Sequence, residues 1–240
     1  RESYLSTAMP NSSLFYLRFV FFLFYLVWIA LVLFRNRFEY FLYLTNWNWI
    51  IGLFYFLNGF LTCARVSLST KQTLININWV LFPTLMPFAL IVTIGYWTIG
   101  KNPNDNPYER FIATIQHTIN IIFPTIDLLL CTTVLRPTQI IYPIIAMSTY
   151  TAMTLIGHLV YKIPWPYSFL DNLLGVGHHV KWDRIVVLVL ILLLNTAVSY
   201  ILMYNVVFLR DKIRVKECDD VDEENDRIDV QSTMKGYFNV

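Results

Sequence analysis

Long, nearly uncharged apolar segments limit what this chain can fold into. A helix needs about 20 mostly apolar residues to cross a bilayer. Backbone polar groups cannot stay unpaired in lipid, so such segments are expected to be helical. The sequence therefore predicts an all-α, polytopic membrane protein, a six-transmembrane-helix bundle, with these spans: Leu14–Phe34, Tyr40–Ala64, Trp79–Ile99, Phe111–Leu135, Ile140–Tyr161 and Ile185–Leu209.

The composition agrees with this class and excludes several others. Hydrophobic residues make up 56% of the 240 residues and charged residues 14%, against about 45–50% and about 25% in soluble domains. A net charge of +2 gives no basic surface for nucleic acid. Three cysteines without a close pair exclude a zinc finger or a disulfide scaffold, and the eight glycines form no nucleotide-binding motif. No cofactor is predicted.

The charge distribution predicts three regions and an orientation. Residues 1–13 form an N-terminal segment, residues 14–209 the transmembrane domain, and residues 210–240 a charged tail, basic and then acidic, that is expected to be disordered. Roughly eleven of the 18 Lys and Arg residues lie on the side that holds both termini. That side, side A, is predicted to be cytoplasmic, in the endoplasmic reticulum or the plasma membrane; the opposite side is side B.

Ionisable residues inside the spans are functional candidates, because a charge in a bilayer is costly. Four stand out: Arg18, His117, Asp127 and His158. Arg18 lies one turn inside its helix and is expected to extend to the lipid headgroups. Asp127 is nearer the middle of its span and is expected to hydrogen-bond within the bundle, although it is also the best residue for a transporter interpretation.

Thr45 and His117 are predicted to lie at the same depth. Each is five or six residues from the side B end of its span, which places both roughly 7–9 Å below that surface. Asn46 follows Thr45, and Asn120 lies one turn from His117. A hydroxyl, a base and amide donors are what nucleophilic catalysis requires. The same side chains also serve as polar contacts between helices, and the residues alone do not decide between the two.

Three motifs resemble a known pair of families. Tyr43-Leu44-Thr45-Asn46-Trp47, His117-Thr118-x-Asn120 with the later Asp127, and the segment Trp165–Asp171 are similar to the androgen-induced protein family and the related rolling stone family. The resemblance covers roughly residues 15–210. Ser168 stands where the androgen-induced branch tends to have proline, and Thr-Asn-Trp is closer to the rolling stone branch.

The resemblance implies a function for two of these residues. Androgen-induced members are multi-pass hydrolases of fatty acid esters of hydroxy fatty acids, with a membrane-embedded threonine nucleophile and a histidine that match Thr45 and His117. Membrane lipids would then be both environment and substrate, with Asn46 or Asn120 donating to the oxyanion. Rolling-stone-like members are linked to cell fusion, which gives the alternative of a non-catalytic membrane protein. The sequence identifies no protein partner.

A second enzyme hypothesis is a zinc site at side B. Its ligands would be His117, His158, His178 or His179, and Asp171. The histidines lack a paired spacing such as H-E-x-x-H, so this is the weaker alternative. A haem between two of the histidines is weaker still.

Overall fold

The computed structural model describes residues 11–36, 41–64, 68–100, 106–131, 135–165, 167, 170 and 181–237. Within these ranges the chain forms six long helices: α1 (Asn11–Asn36), α2 (Leu44–Cys63), α3 (Leu68–Gly95), α4 (Pro107–Leu130), α5 (Ile141–Leu159) and α6 (Trp182–Tyr237). A π-helical turn, Tyr96–Gly100, extends α3, and a 3-10 turn, Pro137–Ile140, leads into α5. The all-α prediction is confirmed for this part of the chain.

Five of the six helices are long and apolar enough to cross a membrane. The exception is α2, whose 20 residues include three asparagines and two glycines that lower its hydropathy. More than half of its residues are buried, and it packs against α1, α3 and α4. A helix that its neighbours shield from lipid can carry polar side chains at lower cost. The predicted multi-pass architecture is therefore found, whereas the sixth span does not follow from length and hydropathy.

Aromatic side chains fill the core between α1, α2 and α4. The rings of Phe21 and Phe123 stack with centroids 4.1 Å apart, and those of Tyr25 and Trp49 lie 4.6 Å apart. Gly52 permits this approach, because a Cβ atom at that position would overlap the Tyr25 ring. The high aromatic content is thus used to pack the first helices closely.

The prolines inside the predicted spans do not end the helices. Pro83 lies within α3 and Pro124 within α4. Proline at position 83 removes the amide that would bond to the carbonyl four residues earlier. That carbonyl belongs to Trp79, and it accepts a hydrogen bond of 3.1 Å from the side-chain amide of Gln139. A buried glutamine from the turn before α5 therefore satisfies the group that the proline left unpaired.

The C-terminal tail differs from its prediction. The sequence predicts disorder from residue 210 onward, whereas α6 continues as one helix to Tyr237. Between residues 210 and 235 the chain has neither proline nor glycine, and nine of the 26 residues are Lys, Arg or Glu, which are good helix formers, against six Asp, which are weaker. A helix already nucleated in the last span can propagate through such a sequence. High charge alone was therefore the wrong criterion for disorder.

Candidate functional site

The first turn of α2 carries Thr45 and Asn46, and both side chains are buried. Tyr43 precedes the helix and provides no side-chain cap. Instead, the hydroxyl of Tyr167, in the segment after α5, accepts a hydrogen bond of 3.2 Å from the backbone amide of Leu44. The N-terminal end of α2 is therefore capped by the side chain of a tyrosine more than 120 residues later in the chain.

Two further hydroxyl groups lie around Tyr167. The side chains of Thr45 and Tyr150 are both close enough to the Tyr167 hydroxyl to influence its ionisation. Tyr150 also donates a 2.9 Å hydrogen bond to the carbonyl of Leu42. Burial raises the pKa of Tyr167 above its ordinary value of 10.0, so the phenol stays protonated at neutral pH and can donate a hydrogen bond. This group, called the Thr45 cluster below, consists of Thr45, Tyr150 and Tyr167.

Asn46 connects α2 to α4. Its side-chain oxygen accepts a 2.6 Å hydrogen bond from Gln116, and the indole of Trp49 donates to the Gln116 carbonyl at 3.2 Å. This pairing supports the prediction that Thr45 and His117, the neighbours of Asn46 and Gln116, lie at one depth. It also shows that the oxygen of Asn46 is already engaged with another side chain.

His117 faces α3 and not the Thr45 hydroxyl. Its ring stacks on Tyr96 with centroids 4.1 Å apart and an angle of 4° between the planes. Its backbone carbonyl accepts a 2.9 Å hydrogen bond from Thr93, and Nδ1 of its ring has no hydrogen-bond partner. In the described ranges no hydrogen bond joins Thr45 to His117. The predicted pairing of these two residues is therefore not formed in this conformation, because equal depth does not fix the direction in which a helix turns its side chains.

Asn120 is fully buried, one turn from Gln116 on α4. Its side-chain nitrogen has no hydrogen-bond partner. An unpaired donor inside the bundle is costly unless it serves a ligand or a conformational change. Asn120 thus remains a candidate oxyanion donor by burial, without a contact to Thr45.

The alternative zinc ligands are dispersed or lie outside the described residues. The His158 ring stacks on Trp165 at 3.9 Å, and its Nδ1 lies 2.9 Å from the carbonyl oxygen of Ile163. Asp171, His178 and His179 fall outside the described ranges. Among the residues that are described, no group of three His, Cys, Asp or Glu side chains can hold a metal ion.

A buried ion pair is the main feature that the sequence analysis missed. Arg18 and Asp127, both with no exposed surface, form two parallel hydrogen bonds of 2.7 and 3.0 Å. The Tyr55 hydroxyl donates to the same carboxylate at 2.5 Å, and Arg18 also donates to the Gly59 carbonyl at 3.2 Å. The prediction that Arg18 extends to the headgroups was therefore wrong, whereas the predicted hydrogen bonding of Asp127 within the bundle is confirmed.

The position of Asp127 also fixes the direction of the helices. Tyr55 of α2 meets Asp127 of α4, just as Asn46 of α2 meets Gln116 of α4. From the first contact to the second, the residue numbers increase on both helices, so α2 and α4 run in the same direction. The carboxylate lies about three turns from Gln116 and has no part in the Thr45 cluster.

A second buried arginine contacts the C-terminal end of α4. Arg210 of α6 donates to the carbonyls of Leu128 and Cys131 at 2.8 and 3.0 Å. Cations are favourable at a helix C-terminus, where the backbone carbonyls lack partners within the helix. Arg18 donates to the Cys131 sulfur at 2.8 Å. Two arginines, one from α1 and one from α6, therefore join the end of α4 to the bundle.

Comparisons with known proteins leave the family resemblance untested: no protein-family model matches the chain, and searches of curated proteins and of solved structures give no match either.

Proposed function

We propose that this protein is a six-span membrane hydrolase that cleaves lipid esters, with Thr45 as the nucleophile. The observation that supports this proposal best is the position of the Thr45 hydroxyl, which is buried at the N-terminal end of α2 beside the Tyr167 hydroxyl. The N-terminal end of a helix stabilises negative charge, which develops on the carbonyl oxygen during ester cleavage. As the substrate we propose fatty acid esters of hydroxy fatty acids, which the resemblance described above implies.

In the proposed reaction the Thr45 oxygen attacks the ester carbonyl and gives its proton to His117. The tetrahedral oxyanion receives hydrogen bonds from the protonated Tyr167 hydroxyl and from a free amide donor, for which Asn120 is the candidate. Collapse releases the hydroxy fatty acid, whose alkoxide takes the proton from His117. Water then attacks the Thr45 ester with His117 as base, which regenerates the threonine and releases the fatty acid.

This mechanism requires one change in side-chain conformation. The His117 ring must turn from Tyr96 toward Thr45 so that its unpartnered Nδ1 comes within hydrogen-bond distance. Catalytic hydrogen bonds are often incomplete until substrate is bound.

The proposed topology places α2 across the membrane as the sixth span, shielded by α1, α3 and α4. Both termini are then cytoplasmic, and the Thr45 cluster opens toward side B. The excess of Lys and Arg on the side of the termini supports this orientation.

The test is labelling of membranes with a fluorophosphonate probe, which reacts with activated hydroxyl nucleophiles. The unmodified chain should label, and Thr45→Ala and His117→Ala should not. Thr62→Ala is the matched control, because Thr62 is equally buried on the same helix and its hydroxyl bonds to the Asn58 carbonyl at 2.7 Å. Labelling that persists in Thr45→Ala would contradict the assignment of the nucleophile.

A second candidate is a non-catalytic, rolling-stone-like protein that acts in cell fusion. The observation that favours it is the absence of a hydrogen bond between Thr45 and His117 in the part of the chain described, together with the stacking of His117 on Tyr96. On this hypothesis the Thr45→Ala/His117→Ala double variant keeps full activity in a cell-fusion assay, whereas the hydrolase hypothesis predicts its loss.

A further inference from the structure

The turn between α4 and α5 carries an exposed arginine, Arg136, that lies over an aromatic ring. The central carbon of its guanidinium is 4.6 Å from the centre of the Trp79 ring of α3, which is the geometry of a cation–π contact. Arg136 is exposed and Trp79 is half-buried. The charged group is therefore accessible from outside the bundle, while the ring fixes the direction in which it points.

Hydrogen bonds hold the backbone of Arg136 and join it to α3. The Arg136 amide donates to the side-chain oxygen of Gln139 at 2.7 Å, and the Arg136 carbonyl accepts a 2.5 Å hydrogen bond from the Tyr200 hydroxyl. The side-chain nitrogen of Gln139 donates to the Trp79 carbonyl at 3.1 Å. One buried glutamine thus connects the arginine to the helix that carries the ring. Because the backbone is already fixed, little of its conformational freedom is left to lose when a ligand binds.

The position of Tyr200 along α6 places this arginine at the level of the lipid headgroups. α6 begins at Trp182, which is exposed, and Tyr200 lies 18 residues later, about 27 Å along the helix. The hydrocarbon core of a bilayer is about 30 Å thick. Tryptophan and tyrosine are enriched at both membrane surfaces, so Trp182 marks one surface, and Tyr200 and Trp79 mark the other.

Apolar side chains continue from the arginine toward the membrane interior. Ile141 and Ile145, in the first two turns of α5, are 48% and 56% exposed. On α3, Val80 follows Trp79 and is exposed as well. A cation at headgroup level beside exposed apolar helix surfaces matches the two parts of a phospholipid, its phosphate and its acyl chains.

The charge of Arg136 is not compensated within the part of the chain whose side chains the structure describes. The acidic side chains described at this end of the bundle are Asp127 and Asp211, and each pairs with another arginine. No described carboxylate lies within ion-pair distance of Arg136. A planar guanidinium donates two parallel hydrogen bonds to an anion that offers two oxygens, as a phosphate does.

We propose that Arg136, oriented by Trp79, binds the phosphate of an anionic phospholipid in the leaflet on side A. The guanidinium donates to two phosphate oxygens, and the acyl chains lie along the exposed apolar side chains of α3 and α5. The net charge of the lipid decides the preference, because a zwitterionic headgroup brings its own cation to the phosphate. This site takes no part in the hydrolase mechanism, and its proposal is independent of that function.

The test is native mass spectrometry of the full chain, released from mixed micelles of phosphatidylglycerol and phosphatidylcholine with the same acyl chains. The unmodified chain should retain phosphatidylglycerol preferentially. Arg136→Gln should weaken this retention about tenfold, the factor for losing hydrogen bonds to a charged group. Trp79→Leu should weaken it about two- to fivefold, because it removes the stacked ring and keeps the backbone carbonyl that Gln139 binds.

Arg35→Gln is the matched control. Arg35 is also exposed and also lies over an aromatic ring, that of Tyr108 at 5.8 Å, but it pairs with Glu109. Its replacement should leave the retained lipid unchanged. Equal retention of the two lipids by the unmodified chain, or equal effects of Arg35→Gln and Arg136→Gln, would overturn the proposal.

A soluble competitor distinguishes a lipid from a free phosphate. Glycerol phosphate carries the phosphate group without acyl chains, so at millimolar concentration it should leave phosphatidylglycerol bound to the unmodified chain. Displacement of the lipid by this competitor would show that the acyl chains contribute nothing, which would overturn the assignment to a phospholipid.

Discussion

Replacement of Arg18 by methionine removes one partner of the ion pair with Asp127 while keeping most of the side-chain length. The carboxylate has no exposed surface and would retain only the Tyr55 hydroxyl and the weak donor of Cys131. Leaving one charge of a buried pair uncompensated costs about 3–5 kcal/mol. We therefore expect Arg18→Met to lower the free energy of unfolding by about that amount.

The double variant Arg18→Met/Asp127→Leu removes both buried charges. It therefore distinguishes the cost of leaving one charge unpaired from the cost of losing the ion pair itself. Replacement of a whole buried ion pair by apolar side chains is often neutral or stabilising. We expect the double variant to be more stable than either single variant, which a double-mutant cycle would report as a large coupling energy.

Arg35 provides a matched control on the same helix. It pairs with Glu109, but the two side chains are 48% and 52% exposed. Exposed ion pairs contribute about 0–1 kcal/mol, so Arg35→Met should change stability by no more than that. The measurement is unfolding of the purified protein in mixed micelles. If Arg18→Met and Arg35→Met had equal effects, the reasoning from burial would be refuted.

Three further predictions concern packing, pH and helix termination. Gly52→Ala should destabilise the protein by about 1–3 kcal/mol in the same unfolding assay, because its new Cβ atom overlaps a buried ring; Gly95→Ala, where nothing lies within 4 Å, is the control. Because the pKa of Tyr167 is raised in the folded state, its contribution to stability is present below the ordinary pKa of 10.0 and is lost as the pH rises above it. Tyr167→Phe should remove that part of the alkaline destabilisation, and an unchanged pH profile would contradict the assignment. Arg210→Gln removes a charged donor from two carbonyls at the end of α4 and should cost about 1.5–3 kcal/mol, measured against the exposed Lys212→Gln.

The sequence predicted well what depends on position along a helix. The apolar blocks identified five of the helices as membrane-crossing candidates, and residue counting placed Thr45 level with His117, in agreement with the Asn46–Gln116 hydrogen bond. The sequence also predicted a span at Tyr40–Ala64, where the structure has the helix α2, but length and hydropathy do not support a membrane crossing there. Depth and helix existence are local properties, which is why a single sequence reveals them.

Rotation of helices and contacts between distant segments could not be predicted in the same way. His117 faces Tyr96 because of how α3 and α4 pack, which no spacing within α4 specifies. Arg18 was assigned to the headgroups because its partner lies 109 residues later. Tyr167 was noted only as part of the motif Trp165–Asp171. No feature of the neighbouring sequence indicates that its hydroxyl accepts a hydrogen bond from the first turn of α2.

The Arg18–Asp127 pair has a consequence for the order in which the protein is made. α1 leaves the ribosome and enters the membrane while α4 has not yet been synthesised, so its arginine must be accommodated without its carboxylate. An arginine at the centre of a helix costs about 2.5–3.5 kcal/mol during insertion, which is an upper bound for Arg18 because it lies near the end of α1. Leucine and phenylalanine residues offset this cost at about 0.3–0.6 kcal/mol each. With a mean hydropathy of 2.5 over its apolar window, α1 is long and apolar enough to cross a membrane even with this residue. The Arg18 guanidinium, however, gains its carboxylate partner only when α4 arrives, so α1 carries an unpaired charge until a helix that is made later completes the bundle.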